Sequence, residues 1–210
     1  MAVEIEKDWT TESGLRAVAL INIWTEGNKP RKANRNGYVR VPVGHALHGV
    51  AYNAPCKTLD PAMELVKEGP IGNRGVIPIF CYSPDETAKA EMVFDVHGSL
   101  TYSGDGKFFD PEDKDGHWFG FDCAHAGDAQ IEPLPYFGNE GIVRSLDYVV
   151  DECESLARQI EHAVRLHEKK QAAEKESMWA ISKMEEIINQ LKEENAELKD
   201  KLAHFEHRYD

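Results

Sequence analysis

Two short polar clusters hold the residues best suited to chemistry. The first is Asp95-Val-His97-Gly-Ser-Leu-Thr101-Tyr102-Ser-Gly. The second is Trp118-Phe-Gly-Phe-Asp122-Cys123-Ala-His125-Ala-Gly-Asp128. Each follows an apolar stretch and runs into a glycine-containing loop. If the two stretches are neighbouring strands, His97, Asp122, Cys123, His125 and Asp128 converge at one rim of a sheet. Two imidazoles and two carboxylates are a donor set for a divalent metal ion with an open position, so His97, Asp122, His125 and Asp128 are candidate metal ligands. The same groups could exchange protons as general acid and base. They could also bind a polar ligand without chemistry, or tie loops together by hydrogen bonds. Cys123 beside His125 suggests a thiolate–imidazole pair. At i and i+2 on a strand, however, the side chains point the same way without meeting well.

A second polar group surrounds Gly44-His45-Ala-Leu-His48-Gly49, where the glycines favour a loop. It adjoins a stretch from Gly27 to Leu59 that carries Lys29, Arg31, Lys32, Arg35, Arg40 and Lys57 and no acid. Such a stretch could face a small anionic, nucleotide-like ligand, with Arg31, Arg35 or Arg40 on phosphate. Tyr102 or Trp118 would stack on a base, and His97, Asp122 and His125 would read polar edges. The candidate ligand-binding set is therefore His97, Thr101, Tyr102, Trp118, Asp122, Cys123, His125, Asp128, His45 and Arg40.

The elements that must position these groups follow from apolar periodicity. Residues 15–24 read as a strand ending at the turn Glu26-Gly27-Asn28, and 28–36 as a polar loop. Strands are expected at 37–41, 75–82, 91–97 and 117–123. Asp60-Pro61 starts, and Gly69-Pro70 stops, a short helix over 61–68. From about Arg144 the period becomes helical: Leu146, Val149, Val150, Cys153, Leu156, Ala157, Ile160 and Val164 share one stripe. No Gly or Pro interrupts 167–177, so the helix should continue. The fold class is α+β: a mainly antiparallel sheet, a short helix, and a long C-terminal helix ending in a parallel coiled coil.

The coiled coil is read from Ile181, Met184, Ile188, Leu191, Asn195, Leu198, Leu202, Phe205 and Tyr209, an unbroken alternation of three and four. β-Branched residues at early a positions with Leu at d favour two parallel strands. Asn195 at an a position fixes register and strand number. Glu194 would meet Lys199, and Lys201 Glu206, across the pair. The expected division is 1–166 as an α+β domain and 167–210 as helical extension and homodimerisation segment.

Composition sets outer limits. The chain has 210 residues, is 41% hydrophobic and carries a formal charge of −13. That is enough apolar material for a core. The acidity argues against duplex DNA as a partner. No apolar run is long enough for a membrane helix, and MAVEIEKDW does not resemble a secretory leader. Cys56, Cys81, Cys123 and Cys153 form no CxxC pair. They are expected to be reduced thiols, mostly small core residues, in a cytoplasmic protein.

Over residues 37–160 the sequence resembles a set of uncharacterised proteins encoded by bacteriophages and prophages. The likeness rests on Gly37-Tyr-Val-x-Val-Pro-x-Gly-His45, on the HGxLTYSG block at 97–104, on the WFGFDCAHAGD block at 118–128, and on Asp147-Tyr-Val-Val-x-Glu152-Cys. It implies action in the cytosol of a bacterial host and supplies no reaction. In that setting the chain would be an accessory protein, of the counter-defence kind, that captures a host protein or a nucleotide-like ligand. The alternatives are a metal-dependent hydrolase built on the His/Asp cluster, and a coiled-coil assembly protein.

Overall fold

A computed structural model describes residues 2–68, 86–133 and 140–206. The chain divides into two compact units, Met1–His167 and Glu168–Asp210. The strand expected at 75–82 and the thiol of Cys81 lie outside the described residues.

The first unit is built on a five-stranded antiparallel sheet. Its strands are β1 (Ala2–Thr10), β2 (Arg16–Glu26), β3 (Lys29–Arg40), β4 (Tyr102–Gly104) and β5 (Trp118–Asp122). Their order across the sheet is β1-β2-β3-β5-β4. A short helix α1 (Asp60–Glu68) follows a single 3-10 turn, Lys57–Leu59. A helical turn α2 (Ala90–Val93) precedes β4, and α3 runs unbroken from Leu146 to Glu206.

Three readings of the sequence need correction. Residues 28–36 are not a loop but the first part of β3. Glu26 pairs with Lys29 across a two-residue turn in which Gly27 supplies the left-handed φ of +60°. The basic side chains that suggested a loop instead cross to acids: Arg31 Nε to Glu26 at 2.6 Å, Lys32 Nζ to Glu4 at 2.7 Å and Arg35 Nε to Glu6 at 2.6 Å. Two of these partners come from β1, a strand that was not anticipated because its alternation is mostly polar.

Residues 91–97 are not a strand either. They begin in the turn α2 and continue as irregular chain, and Met92, Phe94 and Val96 are still fully buried. Period-two burial fits any extended segment pressed against a core, whether or not it has ladder partners. Finally, His97 does not end a strand; it and Gly98 form a turn closed by the Ser99 N–H donating to the Val96 carbonyl at 3.0 Å.

The sheet is covered on both faces. Ala17, Ala19, Val39, Phe119 and Phe121 pack with Val149, Cys153, Leu156 and Ile160 of α3 in the main core. The alternate positions Val18, Leu20, Tyr38 and Trp118 pack with Phe109 on the other face. Because β2 has apolar neighbours on both sides, it reads as a continuous hydrophobic run. The first part of α3 packs tightly over Gly37 of the sheet. A Cβ there would overlap the Phe121 ring and lie 2.6 Å from the Cys153 sulfur.

In the second unit the helix exposes Ile181, Met184, Ile188, Leu191, Leu198 and Leu202, with Ile188 at 49% and Met184 at 61% exposure. Phe205 belongs to the helix, but its side chain and the whole of Tyr209 lie outside the described set. No helix among the described residues is long and apolar enough to cross a membrane.

Candidate functional site

The two polar clusters do meet. The rings of His97 and His125 lie 5.7 Å apart, centroid to centroid. Asp128, with its side chain 1% exposed, sits at the centre. Its Oδ2 is 2.7 Å from His97 Nε2 and accepts the His125 backbone N–H at 3.0 Å. Its Oδ1 accepts from Arg144 Nε at 2.7 Å. Burial is the largest influence on this carboxyl and pushes its pKa up. The hydrogen bonds from Arg144, His97 and the His125 N–H together outweigh it and hold the group below the usual range.

The other nitrogen of His97, Nδ1, is 3.0 Å from the Tyr148 hydroxyl. The backbone N–H of His97 donates to Glu152 at 2.7 Å. Burial pushes the Glu152 carboxyl and the Tyr148 phenol up. One consistent pattern has neutral His97 donating from Nε2 to Asp128 and accepting the Tyr148 proton at Nδ1. A charged imidazolium would instead donate from both nitrogens, with Tyr148 turning its proton to Glu152.

Local backbone geometry presses the parts together. Gly98 and Ser99 both take left-handed φ, +63° and +76°. A Cβ on Gly98 would overlap the His125 ring. Opposite, Ala129 N–H donates to the Ile142 carbonyl at 3.0 Å and Ile142 N–H to that of Gly127 at 2.9 Å. This short ladder places Arg144 on Asp128. Arg35 of β3 adds a bond from Nη1 to the Arg144 carbonyl at 2.7 Å. Four segments are thereby joined: β3, the 97–99 turn, the 122–129 loop and the start of α3.

Sequence reasoning missed Arg144, Tyr148 and Glu152. Tyr148 and Glu152 are four apart on one face of α3 and lie in the last of the resemblance blocks, while Arg144 sits just before the helix begins. That spacing was the available signal.

The remaining candidates are elsewhere. Tyr102 and Trp118 belong to the cluster on the sheet face opposite α3, with Trp118 fully buried, so neither presents a ring for stacking beside His97. Thr101 donates its N–H to the Gly120 carbonyl at 3.0 Å, beside β4. His45 is set against Glu161 of α3, with Nε2 3.4 Å from the carboxylate. Arg40 grips Asp113 with two bonds, at 2.6 and 2.7 Å, and keeps that carboxyl low.

The chemistry open to the cluster is narrow. Burial, reinforced by Asp128 and Asp122, pushes the Cys123 thiol up to about 12, which rules out a resting thiolate. Cys153 is fully buried in the core and shifted the same way; Cys56 is half-buried, and all three thiols are unpaired. Both nitrogens of His97 and both oxygens of Asp128 are engaged. Among the described residues no group of three or more His, Cys, Asp or Glu is placed to hold a metal ion. The His97–Asp122–His125–Asp128 set therefore converges without forming a coordination shell. Among the described residues, His125 Nε2 is buried with no hydrogen-bond partner and lies 3.6 Å from Asp122, too far for a bond.

No family model, curated protein or solved structure matches this chain.

Proposed function

We propose that this chain is a self-associating binding protein: an α+β unit paired with a second copy through a parallel two-stranded coiled coil, with a protein as its target. The observation that carries this reading is the apolar seam of α3, exposed along Ile181, Met184, Ile188, Leu191, Leu198 and Leu202. An exposed apolar stripe at strict three–four spacing suits a partner helix, and Asn195 within it suits a paired dimer.

Two further points favour a protein target over a small anion or a reaction. The guanidiniums of Arg31, Arg35 and Arg40 are each held by a carboxylate. The His97–Asp128 network has its donors and acceptors matched internally, as a structural clamp would. From the resemblance to phage-encoded chains we take the setting: an accessory, counter-defence role in the cytoplasm of a bacterial host, with a host protein as the captured partner.

Light scattering on the full chain and on a chain ending at Gln171 tests the self-association. The full chain should be a dimer and the shortened one a monomer. A monomeric full chain, or a shortened chain that remains dimeric, overturns the reading.

A further inference from the structure

The sequence of α3 keeps one heptad frame from the first unit into the seam. Counting back in sevens from Ile181, the a positions are Glu174, His167 and Ile160; from Met184, the d positions are Ser177, Lys170 and Ala163. Ile160 and Ala163 are buried in the core of the first unit. Ile181 and Met184 open the exposed apolar seam. Between them the same frame places His167, Lys170, Glu174 and Ser177, all polar, at every a and d position. Lys170, Glu174 and Ser177 are exposed.

A parallel pair sets each a and d residue against its own counterpart. Pairing over this stretch would bring ammonium to ammonium at Lys170 and carboxylate to carboxylate at Glu174. It would also draw those charges out of water with no apolar side chain in the layer to gain from burial. The diagonal contact of Lys170 in one copy with Glu174 in the other offsets this only weakly, as ion pairs near water do. The stretch needs no partner to favour helix. Every residue from Glu168 to Glu176 is Ala, Glu, Lys or Gln, and all four are strong helix formers.

We infer, on the reading that the tail pairs, that the two copies join only from Ile181 onward and run unpaired from His167 to Ser177 as a helical neck about 16 Å long. Each first unit is then carried on its own single helix. The dimer offers a target two separate units instead of one fused surface.

Amide hydrogen exchange on the full dimeric chain tests the neck. Peptides within 168–177 should exchange at least about tenfold faster than peptides within 184–191, because a short lone helix opens far more readily than a packed one. Leu191→Glu, which puts a charge at a d position, should speed exchange in 184–191 and leave 168–177 unchanged. The triple change Lys170→Leu, Glu174→Ile and Ser177→Leu should slow 168–177 to the rate of 184–191 and raise the melting temperature. Three results would overturn the neck and leave the pairing intact: equal protection of both stretches in the dimer, a neck that speeds up together with the seam in Leu191→Glu, or no slowing in the triple variant. A monomeric full chain would overturn the pairing, and the neck with it.

Discussion

His97 Nε2 lies 2.7 Å from Asp128 Oδ2, and the same carboxylate is gripped from its other oxygen by Arg144 at 2.7 Å. Asp128 is therefore the point at which the 97–99 turn and the approach to α3 are fastened to the 122–129 loop. Its removal tests whether this network is a clamp.

Asp128→Asn keeps the shape and removes the negative charge that Arg144 and His97 both contact. With the acceptor buried, we expect a loss of about 2–3 kcal/mol in unfolding free energy. Asp122→Asn, at the more open edge and with no short ion pair, should change stability by less than about 0.5 kcal/mol. Urea unfolding of the two variants measures the contrast.

The acid limb of stability should carry the same signature. The Asp128 carboxyl titrates below its usual range when folded, so its contribution is complete above the unfolded value of about 3.9 and fades as pH falls through the lower folded value. Glu152 has the opposite sign. Burial raises its pKa, so its ionisation weakens the fold as pH rises from about 4.3 towards the raised value. Stability measured from about pH 2 to 6 should fall less steeply at the acid end in Asp128→Asn. In Glu152→Gln the decline on the rising side should vanish.

Gly98→Ala places a methyl group against the His125 ring at a φ of +63°. Left-handed strain and the overlap act together, and a loss of at least about 2 kcal/mol is expected. Chemical unfolding followed by tryptophan fluorescence would show it.

The basic stretch should behave as structure. Arg35 is mostly buried, bonds Glu6 through two nitrogens and also reaches the Arg144 carbonyl. Arg35→Met should destabilise by about 1.5–3 kcal/mol, the range for hydrogen bonds to charged groups. Lys32→Met, which breaks a solvent-screened pair in the open, should leave stability nearly unchanged. A chain in which both changes proved equally mild would remove the structural account of these cations.

In the tail, Asn195→Ile exchanges the one polar a residue for a β-branched apolar one. Melting temperature should rise, while sedimentation equilibrium should show a mixture of strand numbers in place of a single dimer.

Much of the framework could be read from residue order, for identifiable reasons. Pro61 marks the start of α1 because its fixed φ and missing N–H suit a first turn; Asp60 lies inside the helix and accepts the Ala88 N–H instead of capping, and the expected stop at Gly69-Pro70 lies outside the described residues. The stripe from Leu146 onward marks α3 because helical period persists over many turns. β1 escaped notice because its Glu4, Glu6 and Asp8 serve partners on β2 and β3, a relation absent from the strand's own sequence. The convergence of His97 with Asp128 was legible from the two polar blocks. Its outcome was not, since engaging both imidazole nitrogens required Tyr148, whose hydroxyl comes from a helix fifty-one residues further on. The 28–36 segment failed for a similar reason: a run of cations looks solvated until the opposing acids are in place.

The bare backbone at Gly37 has a consequence for assembly. Asn36 and Tyr38, its neighbours, face the other side of the sheet, and the α3 thiol of Cys153 fits only over the residue that has no side chain. A slip of β3 by one position would put an amide or a phenol under the helix and close that seat. Helix docking therefore acts as a proofreading step on strand register: only a correctly aligned sheet offers the notch into which α3 settles.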